Sequence, residues 1–553
     1  MQKFSALVWR PLFAMVFLWL QACGTPDIDI GASVDYGPVG GASGTELAAI
    51  QVLHKSNGTE PQTLDPHKAE GVPESNILRD LFEPLVMEAP DGTLIPGAAS
   101  GWQISDDGLK YIFSLRSDGR WSNGDAVTAE DFVFGLRRAL DPNTLSSYAS
   151  ILYPIHNAAA INRGDMDTHL LGVRALDDLT LEIVLEAPTP YFLGLLNHNM
   201  AFALHRPSVT EHGDRFARVG NLVSNGAYIL HDWVIQSHVG LVRNPLYRDN
   251  ANTVIEKVTY YAIENSDAVF KRYRAGEIDF TQSIPPKQLE WISTNMPGEY
   301  YQSAYLGSYY FGFNTTRPPF KGKPGLRRAL SMAIDREIIT GKLTKAGELP
   351  AYGWVPPVQG YEPQQPEWAS WTNEERYAEA RRLYAEAGYS DDNPLVVEVI
   401  YNTSQDHKRL AIAVGAMWQQ VLGVETRLLN QEWKVFLQTR QSKITTQVFR
   451  SGWIGDYNDA YTFAQLLHST NQQNDFGWDN PAYDELLDKA AVETDLEKRA
   501  LLLQEAERIL LNDAPLMPIY FYVSKHLIKP WVQGFVPNIM DHVYTKDLSL
   551  LKH

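Results

Sequence analysis

Cysteine occurs once in this chain, at Cys23, so nothing beyond the first 23 residues carries a thiol. That scarcity excludes an intrachain disulfide, thiol catalysis and cysteine-held metal in one step. Long apolar runs are missing too: residues 11–20 are too short to span a bilayer, and no later run reaches spanning length. Basic residues are outnumbered, 48 Lys and Arg against 66 Asp and Glu, for a net charge of −18. A nucleic-acid partner needs a basic footprint, so that class is disfavoured. The chain also lacks a Gly-x-Ser-x-Gly elbow, a Gly-Lys-Ser/Thr phosphate loop, a Gly-x-Gly-x-x-Gly fingerprint and a His-Glu-x-x-His pair. Its 14 histidines are scattered. Asp456-x-Asn458 opens like a calcium loop, but Tyr461 stands where that loop needs glycine. No metal, cofactor or catalytic constellation is expected.

What is present begins with an export signal. Lys3 and Arg10, the only charges in the first 22 residues, precede the apolar stretch 11–20, and residues 1–22 read as a signal peptide. Leu20-Gln21-Ala22-Cys23 then resembles a bacterial lipoprotein processing site, with Cys23 acylated; the alternative is ordinary cleavage to a soluble periplasmic form. Residues 23–46 are rich in Gly, Ser and Pro and poor in large apolar residues, the composition of a flexible tether. Acyl chains would supply the only attachment to a membrane.

At 553 residues, with 44% hydrophobic and 21% charged content, the chain has material for more than one core. Segments 111–116, 181–185, 309–313 and 395–401 alternate or run apolar like strands. Residues 129–140 carry apolar residues at helical spacing behind Thr128, a good N-cap. Further helices are expected over 374–387, closed by Gly388, over 407–422, and over 484–511 with an interruption. The pattern is mixed α/β in several domains.

The segment Arg450-Ser451-Gly452-Trp453-Ile454-Gly455-Asp456-Tyr457-Asn458-Asp459 concentrates a cation, an indole and carboxylates on a Gly-punctuated stretch. Glycine permits close approach of a partner, and a carboxylate beside an indole in a cleft suits a ligand's ammonium group. Spacing alone leaves a second reading open, a strand-end turn with Trp453 in the core and Asp456 capping a helix.

Several stretches together carry a family resemblance. They are Thr63-Leu64-Asp65-Pro66-His67-Lys68-Ala69-Glu70-Gly71-Val72-Pro73-Glu74, Trp121-Ser122-Asn123-Gly124-Asp125, Ser224-Asn225-Gly226-Ala227-Tyr228, Tyr401-Asn402-Thr403-Ser404, Asn430-Gln431-Glu432-Trp433-Lys434 and the 450–459 segment. From about residue 47 to the end, the chain resembles the periplasmic oligopeptide-binding proteins of bacterial ABC importers, extracellular solute-binding protein family 5. The resemblance implies a three-lobed α/β periplasmic-binding-protein-like fold (type II, cluster C), with two lobes closing on the ligand. Domain I would combine 47–83, 208–306 and 523–553; domain II would be 84–207 and domain III 307–522.

By that resemblance Asp456 would hold the α-ammonium of a peptide. The backbones of Gly452 and Ile454, with Glu70 and Val72 opposite, would bond the peptide main chain like added strands. Trp433 and Trp453 would line side-chain pockets, with Tyr148 and Tyr522 adding ring and hydroxyl contacts. Arg440, Arg450 and His407 would meet the terminal carboxylate as cations at different depths. The family's best-known member has cysteine where Ile454 stands, which changes pocket volume and little else. The implied function is a non-catalytic receptor, a monomer that hands short peptides to ABC permease subunits. Within the family the solute could instead be murein peptide, dipeptide, haem or metal chelate. Outside it, a secreted hydrolase or a surface adhesin or holdase is the alternative.

Overall fold

The computed structural model describes residues 45–358 and 360–553. The signal segment, Cys23 and all of the tether except Thr45 and Glu46 lie outside the described residues. Three main sheets organise the rest. In the first, Val52–Ser56 runs parallel to Lys257–Tyr261, followed by His238–Arg243 and Tyr228–Val234 in antiparallel order. The two ends of the described chain meet beside it, where the Ala48 N–H donates to the Leu550 carbonyl at 2.8 Å.

The second sheet is antiparallel, with Ala99–Ile104, Lys110–Leu115, Thr180–Val184 and Val173–Asp177 as neighbours. Tyr111, Phe113 and Leu115 alternate inward on Lys110–Leu115, the burial expected of a half-covered strand. Helix Ala129–Leu140 packs on this sheet and has the limits expected from its sequence. The Asp131 carboxylate accepts the Thr128 N–H at 2.9 Å and closes a capping box. This segment is tied to the first sheet's side by buried bonds, notably Arg138 to Asp65 at 2.7 Å and Tyr544 to Asn197 at 3.0 Å.

The third sheet has six strands in the order Leu349–Pro350, Leu516–Leu527, Tyr300–Phe313, Val448–Ile454, Val396–Asn402, Glu425–Gln431. One of its faces packs in a separate core around Phe311, Leu330, Val399, Trp418 and Ile519, while Tyr310, Ile400 and Phe449 on the other join the main core. Two long strands, Tyr300–Phe313 and Leu516–Leu527, leave this sheet and reach the first one. Thr281 N–H bonds the Leu527 carbonyl at 2.9 Å, and Phe280 bridges both Lys55 and Ile528. Their antiparallel ladder is interrupted between Ala304 and Ser308. An interrupted ladder bends there.

Candidate ligand-binding cavity

The strand Val448–Ile454 begins as an interior strand and ends as an edge. On one side it pairs with Tyr300–Phe313, from Phe313↔Val448 to Gly307↔Ile454. On the other, Val396–Asn402 accompanies it only at Val399↔Val448 and Ile400↔Phe449. The neighbouring chain then departs through Thr403 into helix Gln405–Leu422, whose first N–H groups are capped by the Ser404 hydroxyl.

From Arg450 onward one edge is therefore unpaired. The Gly455 N–H points to the Leu306 carbonyl at 2.8 Å, which sets the phase of the ladder. By alternation, the Arg450 N–H still meets Ile400, while the Arg450 C=O and the N–H and C=O groups of Gly452 and Ile454 face the unpaired edge. That edge lines a cavity of about 520 Å³, with Glu70, Gly71 and Val72 also in its wall. A Cβ on Gly452 would lie 2.5 Å from the Tyr522 hydroxyl, so glycine is what lets that tyrosine lie over the strand.

Asp456 follows the strand and closes one end of the cavity. Its side chain is 9% exposed. One carboxylate oxygen accepts from the Tyr148 hydroxyl at 3.1 Å and the other from Thr462 Oγ1 at 3.3 Å. Burial pushes its pKa up to about 7, against the two hydroxyl bonds that pull it down. The nearest basic group is His198, 3.7 Å away. Burial, with Arg79 and His542 nearby, lowers the His198 pKa to about 3, so the imidazole is neutral near pH 7. Asp456 is thus a desolvated carboxylate on the cavity wall, bonded by hydroxyls and by no cation among the described residues. The alternative reading of Asp456 as a helix cap does not hold: the short helix Tyr461–Ala464 starts after Ala460 with no side-chain cap, and the nearby Asp459 carboxylate accepts the Tyr461 N–H at 2.8 Å.

Arg450 is the converse group. Its guanidinium donates to Asn402 Oδ1 and to the Tyr522 hydroxyl, each at 3.1 Å, and lies 4.5 Å from the centre of the Tyr309 ring. No carboxylate pairs with it among the described residues. Arg440 differs from expectation. It forms a buried ion pair with Asp475 and bonds Ser451 Oγ at 2.8 Å, so its charge is already compensated. His407 requires a correction too. Burial and the neighbouring Arg450 hold its pKa well below the usual histidine value, so it meets the cavity as a neutral imidazole rather than a cation.

The structure brings the other expected residues to the same cavity. Trp453 stacks on Tyr148 at 6.0 Å and 9°, and Trp433 stacks on Phe436. Neither indole N–H has an acceptor. Glu70 accepts from Gln441 at 2.9 and 3.1 Å and from Ser147, linking three distant segments. Sequence reasoning missed His198, Thr462 and Asp475. Each acts through a partner tens of residues away or across a turn, and none stands in a motif. His198, which stands just before the short turn Asn199–Ala201, carried no spacing signal that could have found it.

The fold has counterparts in known proteins. Residues 93–475 match the family model of bacterial extracellular solute-binding proteins, family 5. The chain belongs to that family. It is 42% identical over 516 residues to the periplasmic oligopeptide-binding protein OppA of Escherichia coli, covering 92% of this chain and 94% of the relative. Among solved structures, Haemophilus influenzae OppA in complex with RPPGFSPFR superposes with a TM-score of 0.89 at 38% identity, over 92% of this chain and 100% of that one. The Escherichia coli murein tripeptide-binding protein MppA gives 0.90 at 40% identity, again over 92% and 100%. The unliganded open form of MppA gives 0.66 at the same 40% identity, over 92% and 99%. The arrangement here is therefore unlike that open form.

Proposed function

We propose that this chain is the substrate-binding component of a peptide ABC importer, capturing short peptides by their termini and main chain and delivering them to permease subunits. The observation that carries this reading is Asp456: a buried carboxylate without a cation, standing at the end of an open β-edge. A peptide's α-ammonium is the cation it lacks. The edge groups of Gly452 and Ile454 bond the peptide backbone irrespective of side chains, which permits many sequences. Arg450, with no acid of its own, takes the terminal carboxylate of a short peptide.

Tyr148, Trp433, Trp453, Tyr522, Glu70 and Val72 shape the pockets between these ends, and neutral His407 acts as a hydrogen-bonding group. Residues 47–83, 208–306 and 523–553 form lobe I, 84–207 lobe II and 307–522 lobe III. The buried bonds between lobes I and II make them one jaw, and the break at Ala304/Ser308 is the hinge against lobe III. The protein is a receptor and not an enzyme. It is exported to the periplasm, held there through an acylated Cys23, and works as a monomer.

Free and N-acetylated forms of one tripeptide, compared by calorimetry, test the reading. The acetylated form is expected to bind far worse, and Asp456→Ala to erase most of the difference. Equal affinity of the two forms for the unaltered protein would sink it. Murein peptide is the second reading, favoured by a likeness to MppA as close as that to OppA. Mass spectrometry of co-purified ligands separates the two.

A further inference from the structure

The residue after Asp456 behaves unlike the rest of its loop. On its own side the loop is pinned. The Asp456 N–H donates to Thr462 Oγ1 at 3.0 Å, and Asp459 makes a two-bond pair with Arg499 at 2.8 and 2.9 Å. Tyr457 instead lays its ring against the segment 84–207. The ring lies flat on Tyr191, with centroids 5.0 Å apart and planes 4° apart. Its Cβ stands only 3.1 Å from where a Cβ on Gly194 would be, so the short helix Phe192–Leu195 fits there because residue 194 has no side chain. Tyr191 also stacks on Tyr461 at 5.2 Å and lies under the Arg499 guanidinium at 5.0 Å.

Tyr148, from the same segment as Tyr191, covers the other side of Asp456. Two tyrosines of one jaw thus hold this loop, Tyr148 at the Asp456 carboxylate and Tyr191 on the ring of the next residue. Tyr457 is 3% exposed in this arrangement, and separating the jaws would strip the Tyr191 ring from it. Burial of the Tyr457 ring and desolvation of Asp456 are consequences of the same approach.

We propose that Tyr191 is a positioning residue for the ammonium site: its ring, laid on Tyr457, fixes the loop that carries Asp456 and couples capture of the ligand's amine to closure of the jaws. This rests on the reading of Asp456 as the ammonium site. Tyr191 itself touches no ligand, because it stands outside the cavity wall. The groups facing Asp456 are Tyr148, Thr462 and neutral His198, with Arg79 and His542 beyond the last; those facing Tyr191 are Tyr457, Tyr461, Arg499 and Asp459.

The test measures affinity and dissociation rate for one free-amine tripeptide and its N-acetylated form in Tyr191→Ala, Tyr191→Phe and the unaltered protein. In Tyr191→Ala the preference for the free amine is expected to shrink about tenfold, the scale of one lost aromatic stack, with faster dissociation. Tyr191→Phe keeps the ring and is expected to keep the preference. Loss of affinity by the same factor for both peptide forms would make Tyr191 a general closure contact and overturn the proposal, as would an unchanged preference. Should Tyr191→Ala not fold, Gly194→Ala displaces Tyr457 from the other side and is expected to reduce the preference in the same direction; an unchanged preference there overturns it equally. A lack of preference in the unaltered protein refutes the ammonium site itself, which is a different failure.

Discussion

Asp456 is distinguished less by its raised pKa than by where it points. Burial also pushes Glu74 and Glu507 up to about 7, but Glu507 is bonded by the Trp354 and Val355 N–H groups at 2.6 and 2.9 Å, and Glu74 by the Gln62 N–H. Those two carboxylates brace loops outside the cavity wall. Asp65, Glu83, Glu348 and Asp475 have Arg or Lys partners. Among the described residues Asp456 alone combines burial, a cavity face and hydroxyl partners only. Loss of one member of a buried charge pair typically costs about 3–5 kcal/mol. Asp456→Asn, which keeps the shape, is therefore expected to weaken free-amine peptides on that scale in calorimetry and to strengthen acetylated ones, which no longer enclose an unpaired carboxylate. Arg450 makes the mirror prediction. Arg450→Gln is expected to cost tripeptide acids about 1.5–3 kcal/mol and C-amidated tripeptides much less; an equal loss for acid and amide would assign Arg450 to the fold rather than to the ligand. At this scale the sequence told residue types and a resemblance but not charge states. Arg440 looked free because Asp475 lies 35 positions downstream, and His407 looked cationic because nothing local announces burial beside Arg450.

Elements were more legible than partners. Thr128 and the apolar spacing behind it marked helix Ala129–Leu140 to its ends, and the interruption expected within 484–511 falls between Pro481–Val492 and Leu496–Asp513, where the Asp495 carboxylate starts the second helix. These signals are local, carried by capping chemistry and periodicity. The strand Tyr300–Phe313 was visible only as 309–313, because its first half carries Gln302 and Ser303 and owes its extension to pairing with Leu516–Leu527, some two hundred residues away. The open edge of Val448–Ile454 was equally hidden: which neighbour ends early is a property of the sheet. That edge makes an element-level prediction. If Gly452 and Ile454 bond the ligand main chain, methylating the ligand amide that faces them removes a single bond, worth about 1 kcal/mol. The loss is expected at one or two amide positions and to be the same whatever side chains the peptide carries. Tolerance of N-methylation at every position, measured by competition calorimetry, would leave the edge without a ligand role.

For the whole molecule, the long two-strand connection and the unpaired carboxylate give closure an energetic logic. The domain limits rested on resemblance, and nothing in the local sequence at 304–308 marks a bend; the interrupted ladder does. In a separated arrangement Asp456 would be solvated and titrate near its ordinary value of 3.8, whereas here burial raises it to about 7. The pKa is higher closed than open, so closing binds a proton. Above pH 7 the empty jaws close on an ionised, unpaired carboxylate, at a cost of about 4 kcal/mol from 1.36 kcal/mol per pH unit. The cost shrinks as pH falls through 7 and is gone below 4. A ligand ammonium removes the same cost at neutral pH, and that differential interaction is what a ligand needs to shift an open–closed balance. Two outcomes follow for X-ray scattering in solution. At pH 8 a free-amine peptide is expected to contract the protein, while its acetylated form contracts it much less at equal concentration. Without peptide, the unaltered protein is expected to contract as pH falls from 8 toward 4. Asp456→Asn, having no carboxylate to protonate, is expected to show no such pH dependence and to be as compact when empty at pH 8 as the unaltered protein is in acid. An empty Asp456→Asn protein as expanded at pH 8 as the unaltered one would separate Asp456 from the closing equilibrium and leave its role to ligand contact alone.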